Sequence, residues 1–192
     1  MRQVYEMPQR CEIKVETVGN DEKPFSIYEQ HADIMVKGSR EIRFGHKINL
    51  ASGRSSMMAG CEVLSGNPPD SSPFQPVTDR VMDNCGTVPR DGITDGGHAS
   101  RENMKYARDK VIANIVFNKT VGSLKNTVSG KNMETRLKKW RSGMEAVISN
   151  FKRGYDMFRC YWKGKEHFAQ KVFWSVIAYH IRVMTAKVLK LI

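Results

Sequence analysis

The order in which strand-like and helical segments follow one another is the feature that most restricts the fold of this chain. Alternating apolar residues predict a strand over 40–50, and a turn and a return strand over 56–64 complete an antiparallel hairpin. Single strands then alternate with helices, which is typical of parallel strands joined by helical crossovers. The sequence therefore predicts an α/β domain with a mixed sheet and helices on both faces. The predicted segments after the hairpin are a helix from Ser72 to Gly86, a strand over 89–95, a helix from Ser100 to Lys110, a strand over 111–117, and helices over 137–152 and 166–187.

The helix predicted over 137–152 carries two adjoining stripes. At 100° per residue its polar stripe is roughly 60° wide and holds one carboxylate among cations. Such a stripe is either a solvated face with weak ion pairs or a metal-ligating carboxylate flanked by cations that hold a polyanion. The helix alone favours the solvated face. The polar stripe contains Lys138, Arg141, Glu145 and Lys152, and the apolar stripe contains Leu137, Trp140, Met144, Val147, Ile148 and Phe151.

Asp95 ends an apolar strand and is followed by Gly96 and Gly97. An Asp-Gly pair most often forms a turn, but the same position also exposes a carboxylate at the rim of a sheet. Functional residues of open α/β sheets collect at the carboxyl ends of the strands. If the helix that bears Glu145 packs beside this strand, the two carboxylates meet, and carboxylate oxygens are the ligands that Mg²⁺ prefers.

The overall charge narrows the class of partner. The formal net charge is +11 and the isoelectric point is near 9.6, which favours a phosphate-bearing partner or an anionic surface.

Four widely spaced cysteines indicate reduced thiols in a cytosolic protein, with neither a disulfide framework nor a zinc site. The most apolar run, residues 172–181, is too short to span a bilayer, so the sequence predicts a buried helix and no membrane partner.

Three blocks of the sequence resemble the DDE transposases of bacterial insertion sequences, which have an RNase-H-like catalytic domain. The first block runs through residues 26–38 and continues into 44–47 and 66–71. The second is Asp95-Gly-Gly-His-Ala-Ser, and the third is Arg141-Ser-Gly-Met-Glu145 followed by Lys152 and by residues 159–164. Together the blocks cover residues from about 25 to 185, and their order and spacing make the resemblance specific.

The resemblance implies that Asp95 is the second catalytic aspartate and Glu145 the catalytic glutamate of such an enzyme. It implies Mg²⁺ or Mn²⁺ as the cofactor, transposon ends and target DNA as the partners, and cleavage and transfer of DNA strands as the activity. A homo-oligomer associated with the bacterial nucleoid in the cytoplasm is expected. The residues expected to contact DNA are Lys138, Arg141, Lys152 and Arg153.

The chain departs from the pattern of the family at several positions. Lys138 and His98 stand where tyrosines are expected, and Gly60 stands where relatives often carry an aspartate. The first catalytic aspartate has no counterpart, because Asp21 lies in a charged loop and Asp33 lies at a non-catalytic position of the first block. We therefore expect a carboxyl-terminal part of a transposase whose first strand is missing and which does not cut DNA by itself.

Under this interpretation residues 1–24 are a linker or the remnant of an upstream region. Residues 25–192 form an incomplete catalytic domain that begins with a short strand at 25–28. The alternative is a basic DNA-binding remnant of a transposase without catalytic function. His46, on the apolar face of the strand predicted over 40–50, is expected to be structural, because no second ligand is evident beside it.

Overall fold

The computed structural model of the protein describes residues 6–7, 9–17, 29, 31–37, 41–118, 125–157 and 159–190. The strand predicted at 25–28 lies outside these residues. The strands are β1 Asp33–Lys37, β2 Glu41–Gly45, β3 Ile48–Ser52, β4 Met58–Val63, β5 Asp91–Thr94 and β6 Asn114–Phe117. The helices are α1 Phe74–Cys85, α2 Arg101–Asp109, α3 Lys131–Gly154 and α4 Lys165–Val188. A π-helical segment, Gln9–Ile13, and a 3₁₀ turn, Gly96–His98, complete the elements.

The described strands form three two-stranded sheets. Strands β1 and β2 are antiparallel, as are β3 and β4, whereas β5 and β6 are parallel with Asp91 opposite Asn114. The mixed α/β class and the hairpin of β3 with β4 are therefore as predicted. A single continuous sheet is not present among these strands, because backbone pairing joins each strand to one neighbour only.

The single strand predicted over 40–50 is wrong. Gly45 has a φ of +150°, a conformation that side chains rarely adopt, and strand β2 ends there. Strand β2 pairs with β1, whereas strand β3, which begins at Ile48, pairs with β4. The shared apolar face is lost as a result, because Phe44 is 60% exposed whereas His46 is only 8% exposed.

The helix ends follow local signals closely. Gly86 ends α1 in the left-handed conformation, with a φ of 64°, as predicted. The N-cap of this helix is Pro73 rather than the predicted Ser72, and it makes no side-chain cap hydrogen bond. Ser100 caps α2 by accepting from the backbone N–H of Asn103. Helix α3 begins earlier than predicted, at Lys131.

Two apolar clusters form the core, and α3 runs between them. The carboxyl-terminal half of α3 contributes Phe151 to the second cluster, and the same helix packs on β5 and β6, which border the first. The middle of α3 is thereby held close to the end of β5. The first cluster contains Phe74, Met104, Ala107, Ile112, Ile115 and Phe117. The second contains Met58, Phe151, Val176, Tyr179 and Val183.

Residues 172–181, predicted to form a buried helix, are buried on one side of α4 only. Val172 and Tyr179 are 2% and 5% exposed, whereas Trp174 and Ile181 are 63% and 60% exposed.

All four cysteines are free. Among the residues that the structure describes, no helix is long and apolar enough to cross a membrane. The π-helical segment Gln9–Ile13, within the predicted linker, contains no buried residue.

Candidate functional site

Asp95 lies at the carboxyl end of β5, where the sequence analysis placed it. The residue has an extended conformation and caps the 3₁₀ turn Gly96–His98, with its Oδ1 accepting from the N–H of Gly96 at 2.7 Å. Its side chain is 69% exposed. The turn-forming role and the exposed carboxylate therefore occur together at this position, and neither interpretation excludes the other.

Helix α3 brings its polar stripe to this carboxylate. Leu137 and Phe151 are each 1% exposed and fix the rotation of the helix about its axis. With that rotation, Arg141 faces the end of β5 and its side chain is 24% exposed. The tertiary contact between α3 and β5 accompanies the burial of Leu137 and Phe151, whereas Trp140 of the predicted apolar stripe is 38% exposed.

The guanidinium of Arg141 joins the two predicted catalytic carboxylates. Its Nη2 lies 3.1 Å from Oδ1 of Asp95, and its Nη1 lies 2.8 Å from Oε1 of Glu145. Glu145 is one helical turn after Arg141, and its side chain is 60% exposed. The structure thus brings three of the predicted site residues together, with a cation between the two anions.

Asp95 and Glu145 are paired with Arg141 and are not grouped as a metal centre. Mg²⁺ is held by one or two carboxylates only when water and substrate oxygens complete its shell. Within the described ranges, no group of three or more His, Cys, Asp or Glu side chains is placed to hold a metal ion. Oδ1 of Asp95 already accepts from Gly96 and from Arg141. The positive charge between the carboxylates is that of Arg141.

The other residues predicted to contact DNA also lie along α3, and among the described residues none of them forms an ion pair with Asp95 or Glu145. Nζ of Lys138 lies 2.7 Å from Oε1 of Glu134, an ion pair within the helix. Hydrogen bonding to Lys138, and then to Asn126, lowers the pKa of Glu134. Lys152 and Arg153 are exposed near the end of α3, and no described residue forms an ion pair with either. Lys152 lies about 10 Å beyond Glu145 along the helix axis.

Two neighbouring residues were not singled out from the sequence. Asp70 packs against the turn after Asp95, and a Cβ on Gly97 would lie only 2.8 Å from the Cβ of Asp70. Lys47 holds Asp70 in place, with its Nζ 2.9 Å from Oδ1. Burial lowers the pKa of His98, and the carboxylates of Asp95 and Asp70 oppose that shift. Asp70 belongs to the first of the three blocks that resemble the transposases, and this membership was the sequence signal that could have identified it.

His46 does not stand alone, although the sequence showed no second ligand beside it. The ring contacts His31 and Asp33, residues that lie 15 and 13 positions earlier in the chain. The pattern of one strand face could not reveal these partners, because both come from the segment that precedes β2.

No family model, curated protein or solved structure matches this chain.

Proposed function

We propose that this protein binds DNA as part of an RNase-H-like catalytic domain of the DDE transposase type and does not cut DNA unaided. The observation that supports the proposal is the convergence of Asp95 and Glu145 on Arg141 at the carboxyl end of β5. The resemblance pairs these two acidic residues, which lie far apart in the sequence. A catalytic domain of this type is expected to bring these two carboxylates close together, whereas an unrelated fold has no reason to do so.

DNA binding rather than cleavage is proposed because of the charge balance at the site. Two carboxylates and one guanidinium leave a single net negative charge, and the carboxylates do not fit a metal centre as they stand. Positioning and charge stabilisation supply most of the rate of phosphoryl transfer, so their loss lowers the rate by orders of magnitude. Cleavage during transposition would require at least one further carboxylate.

The contact with DNA is assigned to the exposed cations of α3. Lys152 and Arg153 form no ion pair with a described residue and place positive charge at one end of the helix, and the whole chain has a net charge of +11. Lysine and arginine bind duplex DNA mainly by replacing the counterions of its phosphates, which makes the affinity depend steeply on salt. Binding without strong sequence preference is therefore expected.

The affinity for a fluorescein-labelled duplex, measured by anisotropy at several salt concentrations, tests this assignment. The slope of log K against log salt is negative, and a Lys152→Ala, Arg153→Ala double variant should make it shallower by about 0.9 for each phosphate contact that is lost. The matched control is Lys105→Ala, Arg108→Ala, which removes the same charge from exposed positions of α2. Equal losses in both double variants would refute the assignment to α3.

Nicking of supercoiled plasmid DNA separates binding from metal-dependent cleavage. With Mg²⁺ or Mn²⁺ present, the 192-residue chain should bind the plasmid and leave it intact. Metal-dependent nicking that disappears in the Glu145→Gln variant would overturn the non-catalytic part of the proposal and support the DDE cleavage reaction instead. Undiminished nicking by that variant would show that Glu145 has no role in cutting.

A further inference from the structure

Four polar side chains form a continuous chain of contacts away from the site at Asp95. Oε2 of Glu29 lies 2.6 Å from Nε2 of His31, and Nδ1 of His31 lies 2.8 Å from Nε2 of His46. Nδ1 of His46 then lies 3.2 Å from Oδ2 of Asp33. The two rings are nearly parallel, with their centroids 5.1 Å apart. Both nitrogens of both rings are therefore engaged.

The contact between the two rings is a hydrogen bond. The rings are nearly parallel with centroids 5.1 Å apart, so the two nitrogens face each other along the 2.8 Å contact, and a metal ion on that line would be much closer to each nitrogen than the length of a metal–imidazole bond, about 2.0–2.1 Å. A nitrogen–nitrogen contact of this length needs one hydrogen between the rings, because two lone pairs facing each other repel. The particle that is shared by His31 and His46 is a proton.

The number of contacts determines how many protons the network holds. The rings make three contacts, two with carboxylates and one with each other, and each contact needs one ring hydrogen. Two neutral imidazoles carry two hydrogens between them, and two imidazolium ions carry four. Only one neutral ring together with one imidazolium supplies three.

The positive charge belongs on His31. Burial lowers the pKa of His46, an effect that the nearby Asp33 carboxylate opposes, so the buried ring is the neutral one and donates its Nδ1–H to Asp33. The side chain of His31 is 29% exposed and faces Glu29. The N–H of Gly164, and to a smaller extent His31, lower the pKa of Glu29, which keeps this carboxylate ionised.

This network connects two parts of the fold that are distant in sequence. Glu29 also accepts from the N–H of Gly164 at 3.0 Å, at the first turn of α4. The ring of Phe168, in the same turn, packs edge-on against His46 with centroids 5.1 Å apart. Among the residues that the structure describes, Lys165 disfavours a charge on His46 and Lys163 favours the ionised form of Glu29.

We propose that the Glu29–His31–His46–Asp33 network is a pH-sensitive latch that holds the start of α4 against the segment preceding β2. The latch is complete when the two rings share one extra proton. Loss of that proton at higher pH removes one of the three contacts and leaves lone pairs in opposition. Gain of a second proton at low pH places two N–H groups against each other. Attachment of α4 is therefore greatest between these limits. The inference is independent of DNA binding.

The protonation state of each ring is directly measurable on the wild-type protein. Long-range ¹H–¹⁵N correlation spectra of ¹⁵N-labelled protein show which ring nitrogens carry hydrogen. Near neutral pH or slightly below, His46 should carry hydrogen at Nδ1 alone and His31 at both nitrogens. Two neutral rings throughout this range, or His46 with hydrogen at Nε2 only, would refute the latch.

Hydrogen exchange tests the connection to α4. After correction for the intrinsic rate, protection of the Gly164 amide should fall by about tenfold when the pH rises from about 6 to about 8.5. His31→Gln, a change at a partly exposed position, should abolish this dependence. The matched control His167→Gln removes an exposed imidazole from the same turn and should retain it. A pH dependence unchanged by His31→Gln, or lost equally in the control, would overturn the proposal.

Discussion

The guanidinium of Arg141 contacts the carboxylate of Asp95 at 3.1 Å, across 46 positions of the chain. The contact places the polar stripe of α3 at the carboxyl end of β5. It also pairs the carboxylate of Asp95 with a positive charge. The ion pair is partly exposed, so its net contribution to stability is expected to be about 1 kcal/mol or less. Its main consequence is for the charge that the surface presents to a ligand.

Removal of the two carboxylates should strengthen DNA binding. The Asp95→Asn, Glu145→Gln variant releases Arg141 and removes two negative charges, so the affinity for duplex DNA should rise a few-fold, on the order of 1 kcal/mol. The slope of log K against log salt should steepen by about 0.9 if Arg141 then contacts one phosphate. Anisotropy titrations measure both quantities. An affinity no higher than that of Glu102→Gln, Asp109→Asn, which removes two negative charges from exposed positions of α2, would contradict this prediction.

Introduction of an aspartate at position 60 should destabilise the protein. A Cβ on Gly60 would lie 3.3 Å from Cγ2 of Val77 and 3.4 Å from Cγ2 of Val81, so a carboxylate would enter an apolar contact. We expect Gly60→Asp to lower the free energy of unfolding in urea by about 2–4 kcal/mol. The control is Gly60→Ala, which adds only the Cβ and should cost less. Equal costs for both variants would show that crowding, not charge, dominates.

The thiol of Cys61 should react slowly. Burial raises its pKa from 9.0 to about 11, which lowers the thiolate fraction at pH 8 by about 100-fold. Alkylation by iodoacetamide, followed by peptide mass spectrometry, should modify exposed Cys85 well before Cys61. Because the folded pKa exceeds the unfolded value, the stability due to the neutral thiol is present below pH 9 and is lost as the pH rises towards 11. Comparable rates at pH 8 would be inconsistent with the burial of Cys61.

Truncation of Phe151 should disrupt the second apolar cluster. Its ring is 1% exposed and lies 4.8 Å, between centroids, from that of Tyr179 on α4. Phe151→Ala should therefore lower the free energy of unfolding by about 3–5 kcal/mol. Trp174, on the same helix as Tyr179, is 63% exposed, and Trp174→Ala should cost less than about 1 kcal/mol. Chemical denaturation followed by circular dichroism compares the two, and similar costs would argue against the assigned core.

Signals within a few residues were sufficient to locate most elements. Ser100 and Gly86 marked a helix start and a helix end, because caps depend on the backbone groups of one turn. The helix predicted over 137–152 and the hairpin of β3 with β4 were predicted from the periodicity of apolar residues. The break at Gly45 was missed, because alternation alone does not distinguish one long strand from two strands with different partners.

The sequence by itself determined that the chain would be a basic α/β protein, that Asp95 would end a strand, and that Arg141 and Glu145 would share one face of a helix. Only the tertiary structure decided that Arg141 lies between the two carboxylates and that His31 and His46 share a hydrogen bond. The reason is physical. Helical periodicity and capping act within a few residues, whereas ion pairs and hydrogen bonds depend on distances of a few ångströms between side chains that the folding of distant segments brings together.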